Sequence, residues 1–146
     1  GPEGADQDFI YDNTWTEVKA VAMASVTISI SSLEQLDTDM EGSLKLYRID
    51  KTTDTDANGF TLADIVQNTR VLFSGNLKCR ELFDLRLFQY GYKDMSEYGK
   101  QKYRFCGAEE YCVDGTFPKL TRNNIAYQIN SARYAIDLAS IAAFRR

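Results

Sequence analysis

The sequence predicts an α+β fold, in which a mainly antiparallel sheet carries one short helix and a long C-terminal helix packed across one face. Residues 26–30 and 44–49 alternate between apolar and polar side chains, which is typical of strands, whereas residues 120–144 show helical spacing. The chain has 146 residues, enough for one domain. We therefore expect a loose acidic lead-in at 1–12, beginning with a Gly1-Pro2 scar of a removed tag, and a single α+β domain at 13–146.

Local patterns indicate the remaining elements. Residues 16–24 suit either a strand or a short helix. Thr61 is placed to cap a helix over 62–70, with Asp64 in the capping-box position. Residues 71–74 and the second half of 77–92 resemble strands, and 102–105 and 110–113 resemble a hairpin around a loop that contains Gly107.

The composition excludes most enzyme chemistries. The chain contains no histidine, which removes Ser-His-Asp triads, Cys-His pairs and histidine metal ligands. The net charge of −4 predicts no general attraction to nucleic acid. Acidic residues concentrate in 1–70 and basic residues in 71–146, which indicates either pairing within one fold or head-to-tail association of copies. No apolar run is long enough to insert into a membrane.

One loop resembles the start of a calcium site. Asp54, Asp56 and Asn58 occupy positions one, three and five, and glycine follows at position six. The acid expected at position twelve is displaced, since Asp64 comes one residue early. The loop is therefore either a cation site that uses these four residues or an Asx turn, in which Asp64 only caps the following helix. Apart from calcium, we expect no cofactor.

The cysteines do not decide in which cellular compartment the protein works. If 102–113 forms a hairpin with a five-residue loop, Cys106 and Cys112 face each other and can form a disulfide. A four-residue loop would pair Cys106 with Tyr111 instead. An oxidised pair would indicate an extracellular, virion-surface or cell-surface location, and a reduced pair the cytoplasm.

The predicted C-terminal helix carries more apolar surface than one sheet covers. We expect its isoleucine row to face the core and a second row to meet a protein partner or another copy of the chain. The residues of that predicted interface are Tyr127, Tyr134, Leu138, Ile141 and Phe144.

Two further groups of side chains are weaker indications of a functional site. Asp37-Asp39-Glu41 and Glu109-Glu110 are paired carboxylates of the kind that hydrolases use, although surface loops often carry such runs. Cations interleave with tyrosines over 86–104, a pattern that can bind single strands but is also found at the edge of a core.

The sequence alone thus favours a non-enzymatic structural or assembly module that acts through protein contacts. An extracellular or surface recognition domain, stiffened by a Cys106–Cys112 bridge and a calcium ion, is the alternative. A carboxylate-based hydrolase is the third hypothesis.

Overall fold

The computed structural model describes residues 6–146, and the chain divides into two compact units. The first comprises residues 1–49 and 106–146, and the second comprises residues 50–105. The described elements are the strands β1 (Phe9–Tyr11), β2 (Thr14–Val21), β3 (Thr27–Ile30), β4 (Gly42–Thr52), β5 (Lys102–Val113) and β6 (Tyr134–Asp137), and the helices α1 (Leu62–Leu72) and α2 (Leu77–Gln89).

The main sheet is mixed, in the order β1-β2-β4-β5. β1 and β2 form an antiparallel hairpin, whereas β2 and β4 run parallel, with Glu17 opposite Leu44. A second sheet pairs β3 antiparallel with β6. The expectation of a mainly antiparallel sheet is wrong, because the chain passes through β3 and a long connection before it returns as β4 in the direction of β2.

The core of the first unit is built by both sheets. Trp15 packs so closely on the backbone of β4 that a Cβ at Gly42 would lie 2.2 Å from its indole ring, so only glycine fits there. The Trp15 Nε1 donates a hydrogen bond to the Met40 carbonyl at 3.0 Å. The buried cluster comprises Trp15, Ile28, Ile30, Leu36, Leu44, Leu46, Tyr111, Val113, Phe117, Ile136, Leu138 and Ile141.

The predicted long C-terminal helix is wrong. Residues 121–133 form turns and irregular structure, β6 follows, and the chain closes with a short 3-10 helix at Ala142–Phe144. Tyr134, Ile136 and Leu138 point inward at every second position, so the segment follows a strand period rather than a helical one. Pairing with β3 satisfies its backbone and buries Ile136 opposite Ile28.

The second unit contains both α-helices. Thr61 caps α1 and forms the predicted capping box with Asp64, whose carboxylate accepts from the Thr61 N–H at 2.8 Å. Residues 77–92 were expected to end in a strand, which is wrong: α2 begins at Leu77, where Asn76 accepts from the Cys79 N–H. The described helices include none that is long and apolar enough to cross a bilayer.

β5 is one continuous strand where the sequence predicted a hairpin. Gly107 was expected to belong to the turn, but it lies inside the strand with a φ of 149°. Glycine adopts this value without the clash that a side chain would cause, so the residue bends a strand instead of reversing it.

Candidate active site

A glutamate and a lysine lie on the inward-facing side of β2, beside the one tryptophan of the chain. Trp15, Glu17 and Lys19 occupy alternate positions, and alternate residues of a strand point to the same face. Trp15 is fully buried and Glu17 is 2% exposed. A carboxylate in such surroundings loses its hydration, so it requires a proton, a cation or hydrogen-bond donors in compensation.

Lys19 pairs with only one of the two carboxylate oxygens of Glu17. Its Nζ lies 2.9 Å from Glu17 Oε1 and donates a second hydrogen bond to Gln35 Oε1 at 3.0 Å. The other carboxylate oxygen, Glu17 Oε2, is buried and has no hydrogen-bond partner in the described part of the chain. Buried polar atoms are nearly always paired, so an unpaired one indicates a place for a ligand or a chemical role.

A second carboxylate, Asp8, is held against the same stretch of β2. Asp8 Oδ2 accepts a hydrogen bond from the Val18 N–H at 2.9 Å, and Val18 lies between Glu17 and Lys19. Burial raises the pKa of Glu17, and the negative charge of Asp8 raises it as well, against the hydrogen bond and charge of Lys19 and a smaller contribution from the Asp8 backbone N–H. The surroundings of Glu17 therefore favour a bound proton or an added positive charge.

The pair of carboxylates fits a hard divalent cation. Magnesium prefers oxygen ligands, and one or two carboxylates commonly hold it while waters and substrate phosphates complete its shell. Asp8 and the unpaired Oε2 of Glu17 supply such a donor set. Among residues 6–146 no group of three or more His, Cys, Asp or Glu side chains could hold a metal ion by itself, so these two carboxylates would depend on water or substrate oxygens.

Glu109 on β5, whose side chain is 13% exposed, is a carboxylate of the opposite kind. Its Oε1 accepts from Arg48 Nε at 2.6 Å, its Oε2 accepts from the Tyr111 hydroxyl, and Arg145 Nη1 lies 3.7 Å away. The hydrogen bond from Tyr111, followed by that from Arg48, lowers the pKa of Glu109, while burial and Glu109 raise the pKa of Tyr111 to about 12. Both oxygens are satisfied, so this carboxylate binds its neighbours rather than a ligand.

The other carboxylate candidates lie elsewhere. Glu110 forms a longer ion pair with Lys45, at 3.7 Å. Asp37, Asp39 and Glu41 line one pocket of the first unit, and Asp37 accepts a hydrogen bond from the Arg122 N–H. None of them is joined to Glu17 and Lys19 by a hydrogen bond described here.

The predicted calcium loop lies in the second unit, and protein groups occupy both carboxylate oxygens of Asp56. Asp56 accepts from the Thr52 hydroxyl at 2.8 Å, from Arg104 Nε at 2.7 Å and from the Asn58 N–H at 3.0 Å. These bonds lower the pKa of Asp56, with that from Thr52 contributing most, and the one from the Asn58 N–H is that of an Asx turn.

The remaining members of the predicted calcium site have other contacts. The Asp54 carbonyl accepts from Lys102 Nζ at 2.9 Å, and the Asp64 carboxylate is engaged in the helix cap. Calcium binding by Asp54, Asp56, Asn58 and Asp64 stays a prediction.

The predicted disulfide is wrong, since no disulfide joins Cys106 and Cys112. Both lie on β5, six residues apart along one continuous strand, so the strand holds them roughly 20 Å apart. Cys112 instead accepts a hydrogen bond from Arg146 Nη2 at 3.1 Å.

The residues of the predicted interface do not share one helical face. Tyr127 is 89% exposed, whereas Leu138 and Ile141 are buried in the core. Tyr134 lies on β6, and its hydroxyl accepts a hydrogen bond from the Leu120 N–H. Phe144 packs edge-to-face on Phe117, with ring centroids 5.1 Å apart, which gives it the place in the core that the sequence did not suggest.

Asp8, Glu17, Lys19 and Gln35 are not among the site residues that the sequence predicted. The sequence does carry a signal for two of them. Glu17 and Lys19 alternate with Thr16 and Val18 in a segment rich in β-branched and aromatic residues, so they share one face of the strand with Trp15. Charged residues at inward strand positions are rare unless they serve a purpose. Asp8 and Gln35 carry no local signal, since only the folded hairpin and the loop before β4 bring them to β2.

Comparison with known proteins identifies a family to which the chain is similar. A family model described as "Putative PD-(D/E)XK family member (DUF4420)" matches residues 1–139. The family description names an acid, any residue and a lysine in succession, and Glu17-Val18-Lys19 has this order. Asp8 lies upstream, where glutamine rather than proline precedes it. No curated protein and no solved structure matches the chain.

This match corrects the functional expectations. PD-(D/E)XK proteins form a nuclease-like superfamily, so both the non-enzymatic assembly module and the surface recognition domain are wrong, as is the expectation that the protein is not an enzyme. Members of the superfamily commonly bind nucleic acid, which contradicts the expectation drawn from net charge, and typically use divalent metal ions. With 139 of its residues matched, the chain belongs to the DUF4420 family of PD-(D/E)XK proteins.

Proposed function

We propose that the chain hydrolyses phosphodiester bonds of nucleic acid in the presence of a divalent cation, and that Asp8, Glu17 and Lys19 carry the reaction. The observation that supports this most is the unpaired, buried Oε2 of Glu17 beside an ordered lysine. A structural ion pair would use both oxygens of the carboxylate, as Glu109 does in the same unit.

Each residue has a role that follows from its chemistry. Asp8 and Glu17 hold the cation through carboxylate oxygens, and Asp8 is oriented for this by the Val18 N–H. A divalent cation, when bound, polarises a phosphoryl oxygen and makes a water more acidic. The Lys19 ammonium directs positive charge at the phosphate, where negative charge builds up as the bond breaks.

The location of the three residues suits this task. Glu17 and Lys19 lie on β2, whose backbone is fixed by pairing with β1 and β4, and strands position catalytic groups more precisely than loops do. Asp8 directly precedes β1 and is held by the Val18 N–H. The burial of Glu17 removes competing water, which strengthens its interaction with a cation.

The test compares Glu17→Gln with Glu110→Gln in cleavage of DNA and RNA, single- and double-stranded, with magnesium or manganese. Glu110 is a matched control, because it is a carboxylate of the same unit in an ion pair with Lys45. We expect Glu17→Gln to lose roughly 100- to 1,000-fold in kcat and Glu110→Gln to stay near the wild type.

Cation binding gives a second measurement that needs no substrate. Manganese should raise the Tm of the wild type and of Glu110→Gln, because a ligand bound only by the native state stabilises it, and should leave Glu17→Gln unchanged. Wild-type protein that cleaves none of the four substrates, or equal cleavage by the two variants, would contradict the proposal.

A further inference from the structure

Gln35 contacts the lysine of the candidate active site from outside the motif. It lies in the loop between β3 and β4, and its Oε1 accepts two hydrogen bonds, from the Ser31 N–H at 2.8 Å and from Lys19 Nζ at 3.0 Å. Lys19 Nζ therefore lies between two oxygens, Gln35 Oε1 and Glu17 Oε1. A lysine side chain held by only one carboxylate oxygen can adopt many rotamers, because its four-carbon stem is flexible.

The backbone that carries Gln35 is itself fixed. Leu33 and Leu36 on either side are fully buried, and the Leu36 N–H and the Asp37 N–H both donate to the Leu33 carbonyl. The side-chain oxygen of Gln35 thus starts from a defined place, and its bond to Ser31 fixes its direction.

The same loop is joined to the start of the hairpin. Gln7 is 8% exposed, and its Nε2 donates to the Glu34 carbonyl at 2.8 Å. Gln7 directly precedes Asp8, so the loop that orients Lys19 is fastened to the segment that presents the second carboxylate. The side-chain amides of Gln7 and Gln35 thus connect the segment of Asp8 with Lys19 and add no charge to the site.

We propose that Gln35 is a positioning residue, which aims the Lys19 ammonium at the scissile phosphate by accepting its hydrogen bond. This inference rests on the proposed function, since it assigns a part in the same reaction. Partners that orient a functional side chain from behind typically contribute about 10- to 100-fold. Gln35 contacts the lysine and not the substrate, so its effect should appear in kcat rather than in KM.

The test uses Gln35→Met, which keeps the length of the side chain and removes the acceptor, and Gln35→Glu, which keeps an acceptor oxygen. Glu34→Gln is the matched control, because the neighbouring side chain pairs with Arg122 and not with Lys19. We expect Gln35→Met to lower kcat about 10- to 100-fold with KM within about twofold, and Gln35→Glu to retain a higher kcat than Gln35→Met. Glu34→Gln should match the wild type.

A measurement without substrate separates this inference from the proposed function. The ¹⁵Nζ relaxation of Lys19 reports the order of its ammonium, which should fall in Gln35→Met and persist in Gln35→Glu and Glu34→Gln. Circular dichroism identifies any variant that fails to fold. Unchanged order of Lys19 in folded Gln35→Met, or unchanged kcat, would overturn the positioning role. Loss of order in a protein that cleaves no nucleic acid would overturn the proposed reaction and leave the contact standing.

Discussion

Two glutamates of the first unit have opposite surroundings. Glu109 on β5 has a donor for each oxygen, and Glu17 on β2 has a donor for one. Their pKa values move in opposite directions, because hydrogen bonds dominate at Glu109, whereas burial dominates at Glu17. The comparison teaches that the pairing of each carboxylate oxygen, and not only the exposure of the side chain, sets the chemistry of an acid in this sheet.

The largest effect on stability is expected from Glu109→Gln. The amide loses an acceptor and the charge that Arg48 and Tyr111 require, and both partners are largely buried. Removal of one member of such a buried network should cost about 2–4 kcal/mol of unfolding free energy, measured by urea denaturation. A loss below about 0.5 kcal/mol would show that Glu109 is not the structural member of the comparison.

Glu17→Gln should have a much smaller effect on stability in metal-free buffer. The substitution removes the cost of a buried, half-satisfied carboxylate and leaves Lys19 with the Gln35 acceptor. We expect a change within about 1 kcal/mol of the wild type, in either direction, by the same denaturation. A large destabilisation would place Glu17 among the structural acids.

The smallest effect, and the most specific, is the dependence on pH. The pKa of Glu109 is lowered in the folded state, so its stabilisation is complete above the unfolded value of about 4.3 and is lost as pH falls through the folded value. The pKa of Glu17 is raised, so the folded state binds the extra proton, and stability falls as pH rises from about 4.3 through the folded value.

Urea denaturation between pH 3 and 7 measures both contributions. The advantage of the wild type over Glu109→Gln should grow with pH, and its advantage over Glu17→Gln should shrink. If the unfolding free energies of the three proteins changed with pH in parallel, the opposite pKa shifts of Glu109 and Glu17 would be contradicted.

Short-range hydrogen bonds were predictable from the sequence. The Thr61–Asp64 capping box joins residues three apart, and the structure has it as predicted. The α2 region was assigned to a strand because Phe83, Leu85 and Leu87 alternate, yet the cap at Asn76 and the bonds along the helix outweigh this weak period.

Long-range contacts were not predictable. Residues 120–144 have helical spacing, but β3 supplies a partner that offers β6 its backbone bonds and a buried face. The site depends on the same kind of contact. Glu17 and Lys19 lie close together in the sequence, but the hydrogen bonds that join β2 to Asp8 and Gln35 span ten and sixteen residues.

The close contact of Trp15 with Gly42 gives the first unit a built-in optical probe. The chain has one tryptophan, and its indole is fully enclosed two residues before Glu17 on the same face of β2. Its fluorescence should be shifted to short wavelength in the native protein and move to the red when this sheet opens. Excitation selective for the indole then follows unfolding at β2, without labelling and without signal from the nine tyrosines.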